Sequence, residues 1–334
     1  KNIVSNLPDG ADCLAAAELC NHFSKILIIL RDDIRLSRFS QSLRIINNNI
    51  DIIEFPAWDC LPFDKNSPNQ KLVGKRVRAL SSLANPNSKK TIILSTIGSV
   101  IQKIPNQDFI KNSSKSIQSG QNISQRELIN FFENNGYMRT NTVREDSEYS
   151  LRGSILDVYP PGEQHPVRID FFGDVIDSLR VFDPISQLSL HNINFISFNA
   201  GNEIILTDHS VELFRRNYRE QFNEEYDKSL YGNISQKIKT NGIEHYLSMF
   251  HESLATIFDH IGDVHVILDK EHSPILDTKF EEINDFYNAR KDDYNIEGKR
   301  FNLLSPQHLY IDKKKLIEIL DKRVVIEFNS FTSG

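Results

Sequence analysis

Cysteine is scarce in this sequence and badly spaced for chemistry. Cys13, Cys20 and Cys60 are the only three. They form neither a Cys-x-x-Cys pair nor a disulfide framework, and they read as small buried side chains in a reducing cytoplasm. Long apolar runs are missing too. Nothing approaches a membrane span and no signal peptide opens the chain, so no membrane partner is expected. Histidines such as His191, His209, His245, His251 and His308 never fall at His-x-x-x-His spacing. The densest group, Asp259, His260, Asp263 and His265, reads as a solvated loop, so no metal site is expected. A net charge of −6 argues against a dedicated nucleic-acid binder. No Gly-x-Ser-x-Gly, Cys–His or paired-carboxylate frame suggests a catalytic residue. The first residue is Lys, which reads as a trimmed segment.

What is present is an alternation. Ala11 to Phe23 and Ile34 to Ile46 have helical character, and Ile26 to Leu30, Ile50 to Phe55 and Thr91 to Ser95 are short apolar runs of strand length. Lys71 to Leu83 is helical as well. Strand–helix alternation of this kind predicts an open α/β sheet with strands buried on both faces. Ser, Asn, Gln and Lys dominate from 111 to 121, which predicts a boundary. Ser124 with Glu127 forms a capping-box signature for a helix ending at Asn135-Gly136. Short strands follow to about Phe198, in a small α+β domain. Beyond Asp208, placed as a helix cap, the pattern is helical and irregular, with late strands at Val264 to Leu268 and Val324 to Phe328 that could complete the first sheet. The expected division is 1–115, 116–198 and 199–334, with the middle unit inserted into a split first domain.

A phosphate loop needs glycines for close backbone approach, a lysine for phosphate charge and a hydroxyl for magnesium. The loop from Asn6 to Leu14 has one glycine, Gly10, no lysine, and Cys13 where no hydroxyl is found. Asp9 and Asp12 would repel phosphate. It is read as unable to hold ATP, and no cofactor is expected. The one basic cluster runs from Lys71 to Arg78. Lys71, Lys75 and Arg78 share a helical face without an aromatic to stack bases, so a solvated face is expected.

The segment 143–183 reads as three strands joined by turns at Pro160-Pro161-Gly162 and Gly173-Asp174. In Val167 to Phe172, period 2 puts Val167, Ile169 and Phe171 on a buried face and Arg168, Asp170 and Phe172 on an exposed one. An arginine beside an exposed aromatic suits an interface core; it equally suits an edge strand under a loop.

Two stretches together resemble a known family. One is FPAWDCLPFD (Phe55 to Asp64) with Ser67-Pro68-Asn69. The other is LRGSILDVYP (Leu151 to Pro160) running through RIDFFGD (Arg168 to Asp174) to SLRVFD (Ser178 to Asp183). They are similar to the N-terminal region of bacterial transcription-repair coupling factors, itself similar to the excision-repair protein UvrB. The resemblance implies a degenerate, P-loop NTPase-like helicase lobe without ATP binding, split by a UvrB-type domain that docks on UvrA. It carries UvrA contact onto Arg152, Arg168 and Phe172, with Arg180 and Asp170 as secondary candidates and more naturally a cross-strand ion pair. In that picture the two arginines meet carboxylates of the partner. The implied role is non-catalytic: to recruit UvrA and so link stalled RNA polymerase to nucleotide excision repair. RNA polymerase and double-stranded DNA would be met through further modules, including the ATP-driven translocase, expected to lie outside this chain. The alternative is a UvrB-like, ATP-dependent lobe that loads on damaged DNA; it would need an intact phosphate loop and an aromatic hairpin. The two readings separate in a thermal-shift measurement with Mg-ATP. The melting temperature is expected to stay unchanged, and clear stabilisation would favour the enzyme.

Overall fold

The computed structural model of the chain describes residues 2–5, 7–8, 10–85, 89–222, 228–270, 272–297 and 302–329. The N-terminal third supplies β1 (Asn2–Val4), β2 (Lys25–Leu30), β3 (Asp51–Phe55) and β4 (Thr91–Thr96). The chain then leaves through β5 (Ile104–Pro105) and β6 (Lys115–Gln118). A second sheet is built from β7 (Met138–Arg139), β8 (Glu148–Arg152), β9 (Ile155–Val158), β10 (Val167–Phe172), β11 (Val175–Phe182) and β12 (Ser189–Ile193). The return path carries β13 (Phe195–Phe198), paired with β6, and β14 (Leu254–Ala255), paired with β5, before β15 (His265–Leu268) and β16 (Val325–Phe328).

The first sheet runs β1-β16-β15-β2-β4-β3, and every pairing is parallel. The two late strands therefore sit between β1 and β2, so the sheet closes only after the second sheet has been made. Period 2 explains why its central strands are apolar throughout. In β2, Ile26, Ile28 and Leu30 pack on one side against α1 (Ala11–His22) and α2 (Asp33–Ile46), with Cys13, Ala16, Phe39 and Leu43. Leu27 and Ile29 pack on the other side with Ala79, Leu80 and Leu83 of α3 (Gln70–Ala84), and Ile283 of the helix His272–Glu297 joins them. Both faces are covered, as a parallel sheet requires. Cys13 and Cys20 lie inside this packing, and burial pushes the Cys13 thiol up to about 11. Cys60 is only half-buried.

The second sheet, ordered β12-β11-β10-β9-β8-β7, is antiparallel except for its β7–β8 edge pair. The helix Gln125–Asn134 covers one face. Its Leu128 and Phe132 meet Tyr149, Leu156, Val158, Val167, Ile169 and Phe171. Among the described residues no helix packs on the opposite face. Ser124 does cap this helix by accepting from the Glu127 N–H at 3.2 Å, but Glu127 does not reach back; its carboxylate takes Lys115 at 2.8 Å. Thr207 rather than Asp208 caps the helix Asp208–Phe222, its hydroxyl accepting from the Ser210 N–H at 3.1 Å. His260 and His265 are not in a solvated loop. His260 is buried against the Pro105 carbonyl, and the His265 ring stacks on Phe23 at 3.7 Å.

The two sheets meet along α3. Lys71, Lys75 and Arg78 of the basic cluster are exposed, but Arg76 is fully buried. Its Nε lies 3.1 Å from Glu203 Oε1, its Nη1 donates to the Pro56 carbonyl at 2.7 Å, and Glu203 Oε2 accepts from Trp58 Nε1 at 2.8 Å. The guanidinium also lies over the Phe55 ring, 4.4 Å from its centroid. Two residues before Arg76, at Gly74, α3 passes close to the Pro160-Pro161-Gly162 turn. A Cβ on Gly74 would stand 2.7 Å from Gly162 N and 2.8 Å from Asp146 Oδ2. Gly162, at φ +72°, is equally confined. Arg78 then donates to the Gly162 carbonyl at 3.0 Å and pairs with Glu163 at 3.1 Å, so the expected solvated face is in part a junction.

Replacing Gly74 with Ala should improve helix propensity by about 1 kcal/mol, yet the backbone of Gly162 cannot yield as a side chain would. Overpacking costs roughly 1–3 kcal/mol, so Gly74→Ala is expected to lower the melting temperature. A rise would mean that α3 and the turn are further apart than described.

Candidate functional site

The open face of the second sheet carries the predicted site residues. Val167, Ile169 and Phe171 of β10 are buried, as period 2 requires, and Phe172 is 82% exposed. Arg168 and Asp170 differ from expectation. Both are half-buried, because neighbouring strands supply partners for them.

Asp157 on β9 organises this face. Register places it directly opposite Arg168 on one side and Ser150 on the other. It is fully buried, and a buried carboxylate needs both charge and hydrogen-bond partners. Arg168 supplies a two-pronged match, Nε to Oδ1 at 2.7 Å and Nη2 to Oδ2 at 2.9 Å. Arg152 adds a bond from Nη2 to Oδ2 at 2.6 Å. The Arg168 guanidinium is further held over the Phe182 ring at 4.6 Å, and its Nη1 reaches the Gln187 carbonyl at 3.4 Å. Its hydrogen bonds to Asp157 outweigh burial and push its pKa upward, so it stays charged at any physiological pH.

The segment 143–183 therefore holds four strands, not three: Glu148–Arg152 is a strand of its own. Arg152 lies on β8, with β9 between it and β10, so it is not on the neighbouring strand. The two arginines still converge, because both reach Asp157 across β9. Arg168 is thus committed to a carboxylate of its own chain rather than held ready for one on a partner. Arg152, at 52% side-chain exposure, retains donors facing solvent.

Asp170 pairs with Arg180 across β10 and β11 and also accepts from Ser178 Oγ at 3.0 Å. Three arginines here face two aspartates, which leaves one positive charge unmatched. Phe172 opens the tight turn at Gly173, whose φ of +62° suits glycine. Arg152 likewise opens the turn at Gly153, also at φ +62°. The Phe171 N–H donates to the Ser154 carbonyl at 3.0 Å, so both turns lie at the same end of the sheet. The ring of Phe172 and the free donors of Arg152 are accordingly presented together, with half-buried Ile155 in the strand between. At the other end, the β11–β12 loop exposes Ile185 and Leu188 beside the Gln187 carbonyl that Arg168 holds. Sequence reasoning did not single out these two, nor Asp157. The clue for Asp157 was a lone acidic residue in an otherwise apolar strand.

The second candidate is the loop before α1. Gly10 caps the helix at φ +92°, and Asp9 lies outside the described residues. Asp12 does not face a would-be phosphate. It is fully buried, accepts from the Cys13 N–H at 2.9 Å, and pairs with Arg35 of α2. Among the described residues, no group of three or more His, Cys, Asp or Glu side chains is placed to hold a metal ion, and no helix is long and apolar enough to cross a membrane.

Residues 116–219 match the family described as UvrB interaction domain. The chain is 31% identical over 314 residues to the Haemophilus influenzae transcription-repair-coupling factor, covering 93% of this chain and 27% of that protein. It is 28% identical to the Rickettsia bellii protein of the same name, covering 89% and 26%, and 26% identical to that of Escherichia coli strain K12, covering 96% and 28%. The chain thus spans about a quarter of the length of the curated relatives it matches.

The geometry separates stability from surface contact. Arg168→Ala removes the main partner of a buried carboxylate and is expected to cost roughly 3 kcal/mol. Phe172→Ala should stay within about 0.5 kcal/mol of the parent. Urea denaturation of both variants measures the contrast; equal midpoints would show that Asp157 does not depend on Arg168.

Proposed function

We propose that this chain, which is similar to transcription-repair-coupling factors over about a quarter of their length and matches the UvrB interaction domain over residues 116–219, is a UvrA-recruiting module that performs no catalysis itself. The observation that carries the proposal is the exposed Phe172 ring, set beside the free donors of Arg152 at one end of a sheet whose other face is fully packed. Phe172 is the apolar anchor. Truncating an anchor of this kind commonly costs ~2 kcal/mol or more of binding. Arg152 supplies a charge-assisted contact to a carboxylate of the partner. Arg168 acts through Asp157: it fixes the carboxylate on which Arg152 leans.

The α/β lobe is proposed to be a degenerate helicase-like scaffold. Residues 1–115 and 199–334 would make up its two parts, and 116–198 the inserted docking unit. In the cytoplasm the module would connect RNA polymerase stalled on double-stranded DNA to excision repair, with motor chemistry residing elsewhere in such a factor. The alternative of an ATP-dependent, UvrB-like lobe gains nothing from the geometry at Asp12 and Gly10, where an acidic side chain stands in the first turn of the helix.

Titration of purified UvrA against the parent chain, Phe172→Ala and Arg152→Ala tests the proposal. Phe172→Ala is expected to weaken binding by about 2 kcal/mol, roughly thirtyfold. Arg152→Ala should weaken it less and in a salt-dependent way. Parent-like affinity in both variants would remove the docking assignment.

A further inference from the structure

In an open α/β sheet the ligand crevice lies outside the carboxyl ends of the strands, at helix N-termini. Here that place is filled from within the chain. Asp269 directly follows β15 and is buried, its N–H donating to the Ile29 carbonyl at 3.0 Å. Asp12 comes from the first turn of α1 and is also buried. The guanidinium of Arg35, from the first turn of α2, reaches both: Nη2 pairs with Asp12, and Nε lies 3.4 Å from Asp269 Oδ2. Asp32 fixes the start of α2, and so the reach of Arg35, by accepting from the Arg35 N–H at 2.6 Å. The Phe39 ring lies under the guanidinium at 5.2 Å. Lys270 closes the approach by donating to the Leu7 carbonyl at 2.7 Å.

Two buried carboxylates from separate elements, brought to one point, repel unless a cation lies between them. In a working nucleotide-binding lobe the metal cation that accompanies the nucleotide can supply such bridging charge, and the elements can move when it leaves. A side chain cannot leave. We propose that Arg35 is a built-in counter-ion that bridges Asp12 and Asp269, filling the crevice and holding α1, α2 and β15 in one arrangement without any ligand. This goes beyond the absence of ATP chemistry. It makes the scaffold's shape independent of nucleotide and metal, and it assigns that independence to one residue. The inference does not rest on the docking proposal.

The test compares melting of the parent chain and Arg35→Ala, each with and without manganese chloride. The parent should not respond to manganese. Arg35→Ala should melt several degrees lower, and manganese should recover part of the loss by taking the place of the guanidinium between the two carboxylates. The proposal is overturned if Arg35→Ala melts with the parent, if manganese leaves the variant unchanged, or if it raises the parent as much as the variant. Should Arg35→Ala fail to fold, the charge-free combination Asp12→Asn, Arg35→Met, Asp269→Asn decides the matter. A cooperative melt indifferent to manganese supports a role in charge balance, and failure of this variant to fold refutes it.

Discussion

The joint between the two sheets depends on the buried pair of Arg76 and Glu203. Arg76 belongs to α3, and Glu203 to the segment that leaves the inserted sheet, more than a hundred residues later in the chain. Neither has any exposed side chain, so either charge alone would be prohibitively placed. Around them the FPAWDC stretch becomes intelligible. Phe55 provides the ring face, Pro56 the carbonyl and Trp58 the indole N–H, and Ser99 adds its hydroxyl to the same Pro56 oxygen at 3.0 Å. The motif is one side of a buried polar network whose centre comes from elsewhere. Buried polar networks of this kind contribute less net stability than their contacts suggest, because desolvation offsets them. What they do is reject other arrangements: a shifted docking of the inserted unit would leave a bare charge in the core.

The same device recurs with different consequences. Arg35 is enclosed between two aspartates and closes a crevice. Arg168 and Arg152 share one buried aspartate, and Arg152 is left half-exposed with donors to spare. The number of carboxylates per arginine therefore decides whether a cluster is sealed or open to a partner. Where two acids meet one base, the base is fully occupied. Where one acid meets two bases, one base still faces water. A list of charged residues does not reveal this ratio, because it is set by register and by which helix covers which face.

That limit explains how much was legible in the sequence. The parallel strands were readable because continuous apolar runs such as Ile26 to Leu30 have few other uses, and the burial of Val167, Ile169 and Phe171 followed from alternation alone. The exposure of Phe172 followed the same way. Arg76 does not stand out among its basic neighbours in the sequence; its partner lies far along the chain, and no local pattern marks it. The strand that holds Arg152 is hard to read because β8 is a mixed sequence, Glu-Tyr-Ser-Leu-Arg, whose strand character comes from pairing with β9 rather than from its own composition. Asp157 does not stand out in the sequence because one acid in an apolar run looks like an exception, not a centre. Local periodicity fixed elements and faces; the partners of buried charges required the tertiary fold.

A docking surface must be rigid if its few anchors are to act without paying ordering entropy on binding. This face meets that demand in a particular way. Its polar residues are tied down by intramolecular ion pairs, so their rotamers are already fixed before any partner arrives. Phe172 is the exception, held only by its backbone at a tight turn and exposing an aromatic ring with two rotatable bonds. An aromatic ring loses little side-chain entropy on contact while removing a large apolar area from water. In the proposed docking, the arginine–aspartate lattice would serve as the frame and the phenylalanine as the contact. A frame of this kind must also be anchored to a firm base, and the buried ion pairs at Arg35 and Arg76 tie together the elements beneath it.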